Sequence, residues 1–215
     1  MSEVKFIKKA KKTIAEMLID RGYSNNPIIR NMLKDDPKEK YSKMGMIEIL
    51  NDTNTEVSLL NFIVNELGEK SSKFKKDDLL KLAERVNKIH SENNKKIIVI
   101  IVFTIKISSQ IIKEKQLLNE KNKQSNIPIF FEYWSANDLQ FNISKSNLIA
   151  KHEIMDPTEV EQLKINYQIK NLIELPRIKL SDPMVKYLGA QPGQVIKIKR
   201  ISETTGYTDY FRLVC

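Results

Sequence analysis

Apolar residues recur at helical spacing near the start of the chain. Ile7, Ala10, Ile14, Met17 and Leu18 share a face, and the pattern stops at Asp20-Arg21-Gly22-Tyr23, where Gly22 suits a C-terminal cap. An amphipathic first helix is expected there. Residues 24–43 contain Pro27, Pro37 and several Asn and Asp, which predicts loop with at most one short element. A second helix is expected from Glu56 to about Leu67, because Val57, Leu60, Val64 and Leu67 fall on one side before Gly68. A third is expected over Asp77 to His90, through Leu79, Leu82, Ala83, Val86 and Ile89. The run from Ile97 to Ile105 is rich in β-branched side chains and far shorter than the ~20 residues of a membrane span, so it reads as a buried strand. A helical stretch to about Glu120 follows, with Lys113 to Lys123 as a solvated polar face. Ile129–Trp134 and Leu139–Ile143 are expected strands. The first half is thus mixed α/β.

The last seventy residues or so differ in texture. Pro157, Pro176, Pro183, Gly189, Pro192, Gly193 and Gly206 lie there, and a domain boundary is expected near Ser144, giving domains 1–144 and 145–215. Asp156-Pro-Thr-Glu159 has the form of a capping box with Pro at the first helical position. Val160, Leu163 and Tyr167 form the stripe of the helix it opens. Asp182-Pro183 starts a shorter helix in the same way, burying Val185 and Leu188 and stopping at Gly189. Gln191-Pro-Gly-Gln194 is a turn, and Val195–Ile201 with Tyr207–Val214 reads as a hairpin joined through Ser202-Glu-Thr-Thr-Gly206.

Composition narrows the class. The chain has 215 residues, 41% hydrophobic and 29% charged, as in a globular protein with room for an ordinary core. Its single cysteine, Cys215, excludes an intrachain disulfide framework and a cysteine zinc site, and fits a reducing compartment. The basic start lacks the apolar stretch of a secretory signal, which predicts a protein that stays in the cell. The net charge is +9, leaning towards the first domain (+6 for residues 1–144, +3 for the rest). Such an excess favours anionic partners, although the joint richness in Lys, Ile and Asn would also follow from an A/T-rich coding genome. Only six of the basic residues are arginines, which argues against sequence-specific reading of bases.

Catalytic sets are missing. His90 and His152 have no metal-ligand spacing, and no two glycines form a phosphate loop, so no metal and no cofactor are expected. Asp77-Asp78 matches the acidic first turn of a helix better than a carboxylate dyad. Glu132 stands alone in its strand and the Ile97 strand carries no carboxylate, which argues against two-metal nuclease chemistry.

One ordered set remains: Leu175-Pro-Arg-Ile178, Asp182-Pro-x-x-x-Tyr187-Leu-Gly189, Pro192-Gly-x-Val-x-Lys-Ile198, Arg200 and Ser202-Glu-Thr-x-Gly206. On its own it is fold punctuation. It strongly resembles the C-terminal assembly domain of subunit 5 of eukaryotic nuclear RNA polymerases and of the archaeal counterpart of that subunit, from about Asn142 to Cys215. The first domain resembles the eukaryotic N-terminal jaw domain more faintly, through Asp20-Arg-Gly-Tyr23 and the Ile97 strand. The resemblance implies a small α/β assembly domain docked on the largest polymerase subunit. It also implies a restriction-endonuclease-like jaw domain without nuclease chemistry, lying beside downstream duplex DNA.

In that reading the chain is not itself an enzyme. Leu175, Pro176, Arg177, Ile178, Tyr187, Gly189, Arg200, Ser202, Glu203, Thr204 and Gly206 form or support the docking surface, and Lys106, Ser108, Ser109 and Lys113 lie near DNA. The chain departs from the family at Lys145-Ser146, at Ala150, at Tyr207 where Arg is usual, and at Ile107-Ser-Ser-Gln110, where the family has a Thr-Pro-Ser-Ala loop. The implied location is the nucleus for a cellular enzyme, or host cytoplasm or virion for one encoded by a large DNA virus. The rivals are a free-standing, non-specific DNA-binding protein, and an endonuclease-like enzyme built on the first domain.

Overall fold

The computed structural model describes residues 3–34, 47–63, 74–93, 95–104, 107–202 and 206–215. The chain divides into two compact units, residues 1–141 and 142–215. The division precedes the expected Ser144 because Asn142 donates its Nδ2 to the Tyr187 hydroxyl at 3.0 Å, which ties it to the second unit.

In the first unit, helices α1 (Glu3–Asp20) and α2 (Pro27–Leu33) precede strands β1 (Ile47–Leu50) and β2 (Glu56–Ile63). Helix α3 (Lys76–Asn93), strand β3 (Lys96–Phe103), helix α4 (Ser109–Gln124) and strand β4 (Ile129–Ser135) follow. The sheet order is β1-β2-β3-β4, with β1 antiparallel to β2 and the other pairs parallel. Two successive strand–helix–strand crossovers of one hand put α3 and α4 on the same face. There Val57, Leu59, Ile97, Val99, Ile101, Phe103, Ile129, Phe131 and Tyr133 pack with Leu79, Ala83, Val86 and Ile111. The alternate positions Ser58, Leu60, Ile98, Ile100 and Val102 are also buried. The end of α1 meets that second face through Arg21 and Glu132. Helix α1 stops as its sequence predicts: Gly22 adopts φ +92°, and Tyr23 N–H reaches back to Leu18 O at 3.0 Å.

Two expectations fail here. The segment from Glu56 is strand β2 as far as Ile63, not a helix, and residues 64–67 lie outside the described residues. A strand flanked on both sides and covered on both faces reads as a continuous apolar run, and Val57, Leu59 and Leu60 fit that as well as a helical stripe. Leu139–Ile143 is not a strand. It forms turns leading into a 3-10 turn at Ile143–Lys145, where the Asn142 side chain accepts from Ser144 N–H at 2.9 Å and so competes with extended pairing.

The second unit holds β5 (Lys151–Ile154), α5 (Pro157–Tyr167), β6 (Arg177–Ile178), α6 (Pro183–Leu188), β7 (Val195–Ser202) and β8 (Gly206–Val214). Its sheet order is β5-β7-β8-β6, antiparallel except for β6 with β8. Alternation along the hairpin supplies two small cores. Val195 and Leu213 pack with Leu163 and Leu175, while Ile196, Ile198 and Val214 pack with Val185 and Ala190. Both expected caps form: Asp156 accepts from Thr158 and Glu159 N–H while Glu159 accepts from Asp156 N–H, and Asp182 accepts from Met184 and Val185 N–H. Gly189, at φ +69°, ends α6.

Candidate functional site

The residues singled out in the second unit divide by burial. Leu175 and Tyr187 belong to the interior, and Gly189 is a helix cap, so these three act beneath the surface rather than on it. Ile178 is half-buried against the α6 core. Pro176 and Arg177 are exposed along edge strand β6, where Pro176 O accepts from Leu213 N–H and Ile178 O from Cys215 N–H. Arg200 is exposed, with its guanidinium 5.1 Å from the centre of the Tyr210 ring. Gly206 takes φ +75° opposite Ser202 at the hairpin end. Glu203 and Thr204 lie outside the described residues.

The hairpin end also carries residues that no motif marks. Ile201 and Tyr207 face each other across β7 and β8 and are 80% and 78% exposed. Tyr167, 62% exposed at the end of α5, packs edge-on against Phe211 and lines a shallow groove with Lys199, Tyr207, Thr208 and Asp209. The sequence carries no apolar alternation that leads to them, because Lys197 and Lys199 intervene between Val195 and Ile201, and Asp209 between Tyr207 and Phe211. Around them runs a charge ladder. Lys197 meets Asp209 at 3.1 Å, which raises the lysine, and Lys151 meets Glu153 at 2.6 Å, which lowers that carboxyl. These pairs are solvent-exposed or nearly so and orient the surface more than they stabilise it.

In the first unit, Ser108 and Ser109 are exposed at the start of α4, Ser108 capping it without a side-chain hydrogen bond, and Lys113 is exposed one turn later. Lys106 lies outside the described residues. Two carboxylates at the sheet, Glu132 and Glu56, are held in structural pairs. Glu132 receives both Arg21 nitrogens, at 3.2 and 3.0 Å, and Trp134 Nε1 at 3.3 Å. Glu56 accepts from the Tyr23 hydroxyl and pairs with Lys96. His90 and His152 each donate Nδ1 to a backbone carbonyl, of Lys95 and Ala150. Among the described residues, no group of three His, Cys, Asp or Glu is placed to hold a metal ion. No described helix is long and apolar enough to cross a membrane.

These features define a small capped α/β unit that presents an aromatic, cationic hairpin. Comparison with known proteins agrees in place and extent. The family model described as RNA polymerase Rpb5, C-terminal domain, matches residues 141–214. "DNA-directed RNA polymerase subunit Rpo5" of Thermococcus kodakarensis is 49% identical over 75 residues, which are 35% of this chain and 90% of that protein. The proteins of the same name from Pyrococcus abyssi and Methanosarcina barkeri are 46% identical over 79 residues and 41% over 75, covering 95% of each. The chain therefore belongs to the Rpb5/Rpo5 family of RNA polymerase subunits, through its second unit. The family match leaves residues 1–140 outside it.

Proposed function

We propose that the chain is a non-catalytic subunit of a multisubunit DNA-directed RNA polymerase. Residues 142–215 dock on the largest subunit, and residues 1–141 form part of the lower jaw beside downstream DNA, in a fold akin to restriction endonucleases. The observation that carries this reading is that the matched 75 to 79 residues account for 90% or more of several polymerase subunits named Rpo5, while the family model falls on residues 141–214. Docking uses a surface at the hairpin end, where Ile201 and Tyr207 lie with Tyr167 on one face of the sheet and Arg200 lies over Tyr210 on the other, together with the exposed Pro176 and Arg177 of β6; Ser202, Glu203, Thr204 and Gly206 join it as the family resemblance implies. Exposed aromatics beside an arginine are what a protein interface takes as anchors. Leu175, Ile178, Tyr187 and Gly189 hold that surface in shape. In the jaw, Lys113, with Lys106, Ser108 and Ser109, attracts phosphates without reading sequence. Nucleotide addition and its metal ions belong to other subunits, which agrees with Glu132 and Glu56 being engaged in structural pairs. The protein works where its polymerase does, in the nucleus or, for a viral enzyme, in host cytoplasm or virion.

The test is affinity purification of the tagged chain from its source, with mass spectrometry and an assay for templated RNA synthesis. Co-purification with two large polymerase subunits and activity supports the assignment. The net charge of +9 favours one rival, a free-standing DNA-binding protein. Recovery as a lone chain that binds duplex DNA with steep salt dependence establishes that rival instead.

A further inference from the structure

Strand β4 is the last of its sheet: β3 pairs with one side, and no described strand pairs with the other. Its sequence, Ile129-Phe-Phe-Glu-Tyr-Trp134, is aromatic and β-branched, contains no Pro or Gly, and has a single charge already held by Arg21. A strand of this kind with an open backbone edge is a template for a further strand.

The edge is not open. Asn119 of α4 donates Nδ2 to Phe131 O at 3.1 Å and accepts Phe131 N–H on Oδ1 at 2.9 Å. One side-chain amide thus makes both bonds that a residue of an antiparallel neighbour would make. Asn122 donates Nδ2 to Ile129 O at 3.0 Å, and Ile129 N–H bonds back to Ile127 O at 2.8 Å. Lys115 sets its ammonium 5.4 Å from the centre of the Tyr133 ring. Positions 115, 119 and 122 share one helix face, and they meet Tyr133, Phe131 and Ile129, alternate residues of the strand. A helical period is therefore matched to a strand period along one edge.

Solubility does not account for the stripe, since Asn122 is only 7% exposed. Asparagine is also a poor helix former, and its amide costs free energy when buried unless it is bonded. The expectation of a solvated polar face over Lys113 to Lys123 fails at these positions: Asn122 is buried, and Lys115 and Asn119 are half-buried.

We infer that Lys115, Asn119 and Asn122 close the β4 edge against pairing with β4 of a second copy of this chain, and so keep the first unit from associating through its sheet. The occupant excluded is a second copy because two β4 edges brought together antiparallel about a two-fold axis are self-complementary.

The experiment uses the full chain. Asn119→Leu keeps the side-chain size and removes both bonds to Phe131. Sedimentation velocity over a concentration series is combined with amide exchange at Phe131 read by NMR. Wild type is expected to remain monomeric. Asn119→Leu is expected to associate with rising concentration and, at dilutions where it is monomeric, to exchange Phe131 N–H at least about tenfold faster, with Ile100 in the sheet centre unchanged. Asn119→Asp retains the acceptor for Phe131 N–H and loses the donor, so it should keep that protection and associate more weakly than the leucine variant. A folded Asn119→Leu that stays monomeric throughout overturns the inference, as does wild type associating as readily as the variant. Should Asn119→Leu not fold, Asn119→Ser, too short to bridge to Phe131, decides the matter by the same two readouts.

Discussion

Residues 1–141 and 142–215 each bury a four-stranded sheet under helices, yet they secure it by different means. The second unit relies on bonds between near neighbours in sequence: the Asp156–Glu159 capping box, the Asp182 cap, the left-handed Gly189 and the hairpin closed at Gly206. The first relies on partners far apart in sequence. Arg21 and Glu132 are 111 residues apart and Tyr23 and Glu56 are 33 apart, while the side-chain amides of α4, 12 and 7 residues from the strand residues they bond, stand where a fifth strand could pair. The unit held by local devices is also the one that the family model and the Rpo5 proteins match. Short-range punctuation leaves an ordered trace in sequence, whereas a parallel sheet with both faces buried leaves only apolar runs.

The sharpest way to break this comparison is to separate the units. A chain reduced to residues 142–215 is expected to co-purify with the polymerase while altering its transcription, and a chain reduced to residues 1–141 is expected to lose the association. The opposite pattern in a pull-down would move the anchor to the first unit. Next in size is Arg21→Met. Arg21 and Glu132 side chains are 5% and 13% exposed, so removing the guanidinium strands a largely buried carboxylate at a cost of about 3 kcal/mol or more. Thermal unfolding should then show the first unit destabilised and the second unchanged; a shift in both would mean that the units are energetically coupled.

Gly206→Val is expected to cost about 1–2 kcal/mol, through the left-handed backbone alone, since nothing lies within 4 Å of the place its Cβ would take. Polymerase incorporation should fall by roughly the corresponding factor of ten if the hairpin end docks. Normal incorporation would remove that end from the interface.

The smallest effect concerns pH. Burial first, and Glu56 beside Tyr23 and Glu114 near Tyr133, hold both phenols well above their ordinary 10.0. The folded chain thus keeps two protons that the unfolded chain releases. Their stabilisation is complete below pH 10 and is lost as pH rises beyond it. Lys115, lowered by desolvation, works the other way, its burial penalty easing as pH approaches 10.5. With two phenols against one ammonium, the first unit should weaken in alkali. Tyrosinate absorbance should show two of the seven tyrosines ionising only as that unit unfolds. Free titration of all seven in the native state would contradict the burial of Tyr23 and Tyr133.

Legibility follows the same division. The α1 stop at Gly22, both proline-led helices of the second unit, the Gly206 hairpin and the Ile97 strand can be read directly, because each depends on a backbone preference or an apolar run confined to a few residues. Strand β2 reads as a helix because Val57, Leu60 and their neighbours satisfy both periods. Leu139, although buried, sits in a turn rather than in an alternating strand. Among site residues, Arg177, Arg200 and Gly206 stand out through motif, whereas Ile201, Tyr207 and Tyr167 do not. Exposure is a property of what fails to cover a residue, and no local pattern records that.

The sequence by itself determined the second unit's two proline-led helices with their caps, its hairpin and its kinship with polymerase subunits, since those depend on preferences and bonds confined to a few neighbouring positions, whereas the short strands β5 and β6 left no such mark. The tertiary structure alone decided which carboxylates are neutralised, which aromatics of the hairpin reach solvent, and that Asn119 and Asn122 complete a sheet edge. Each of these depends on groups brought together only when strands and helices pack, and the chain between them carries no mark of the meeting.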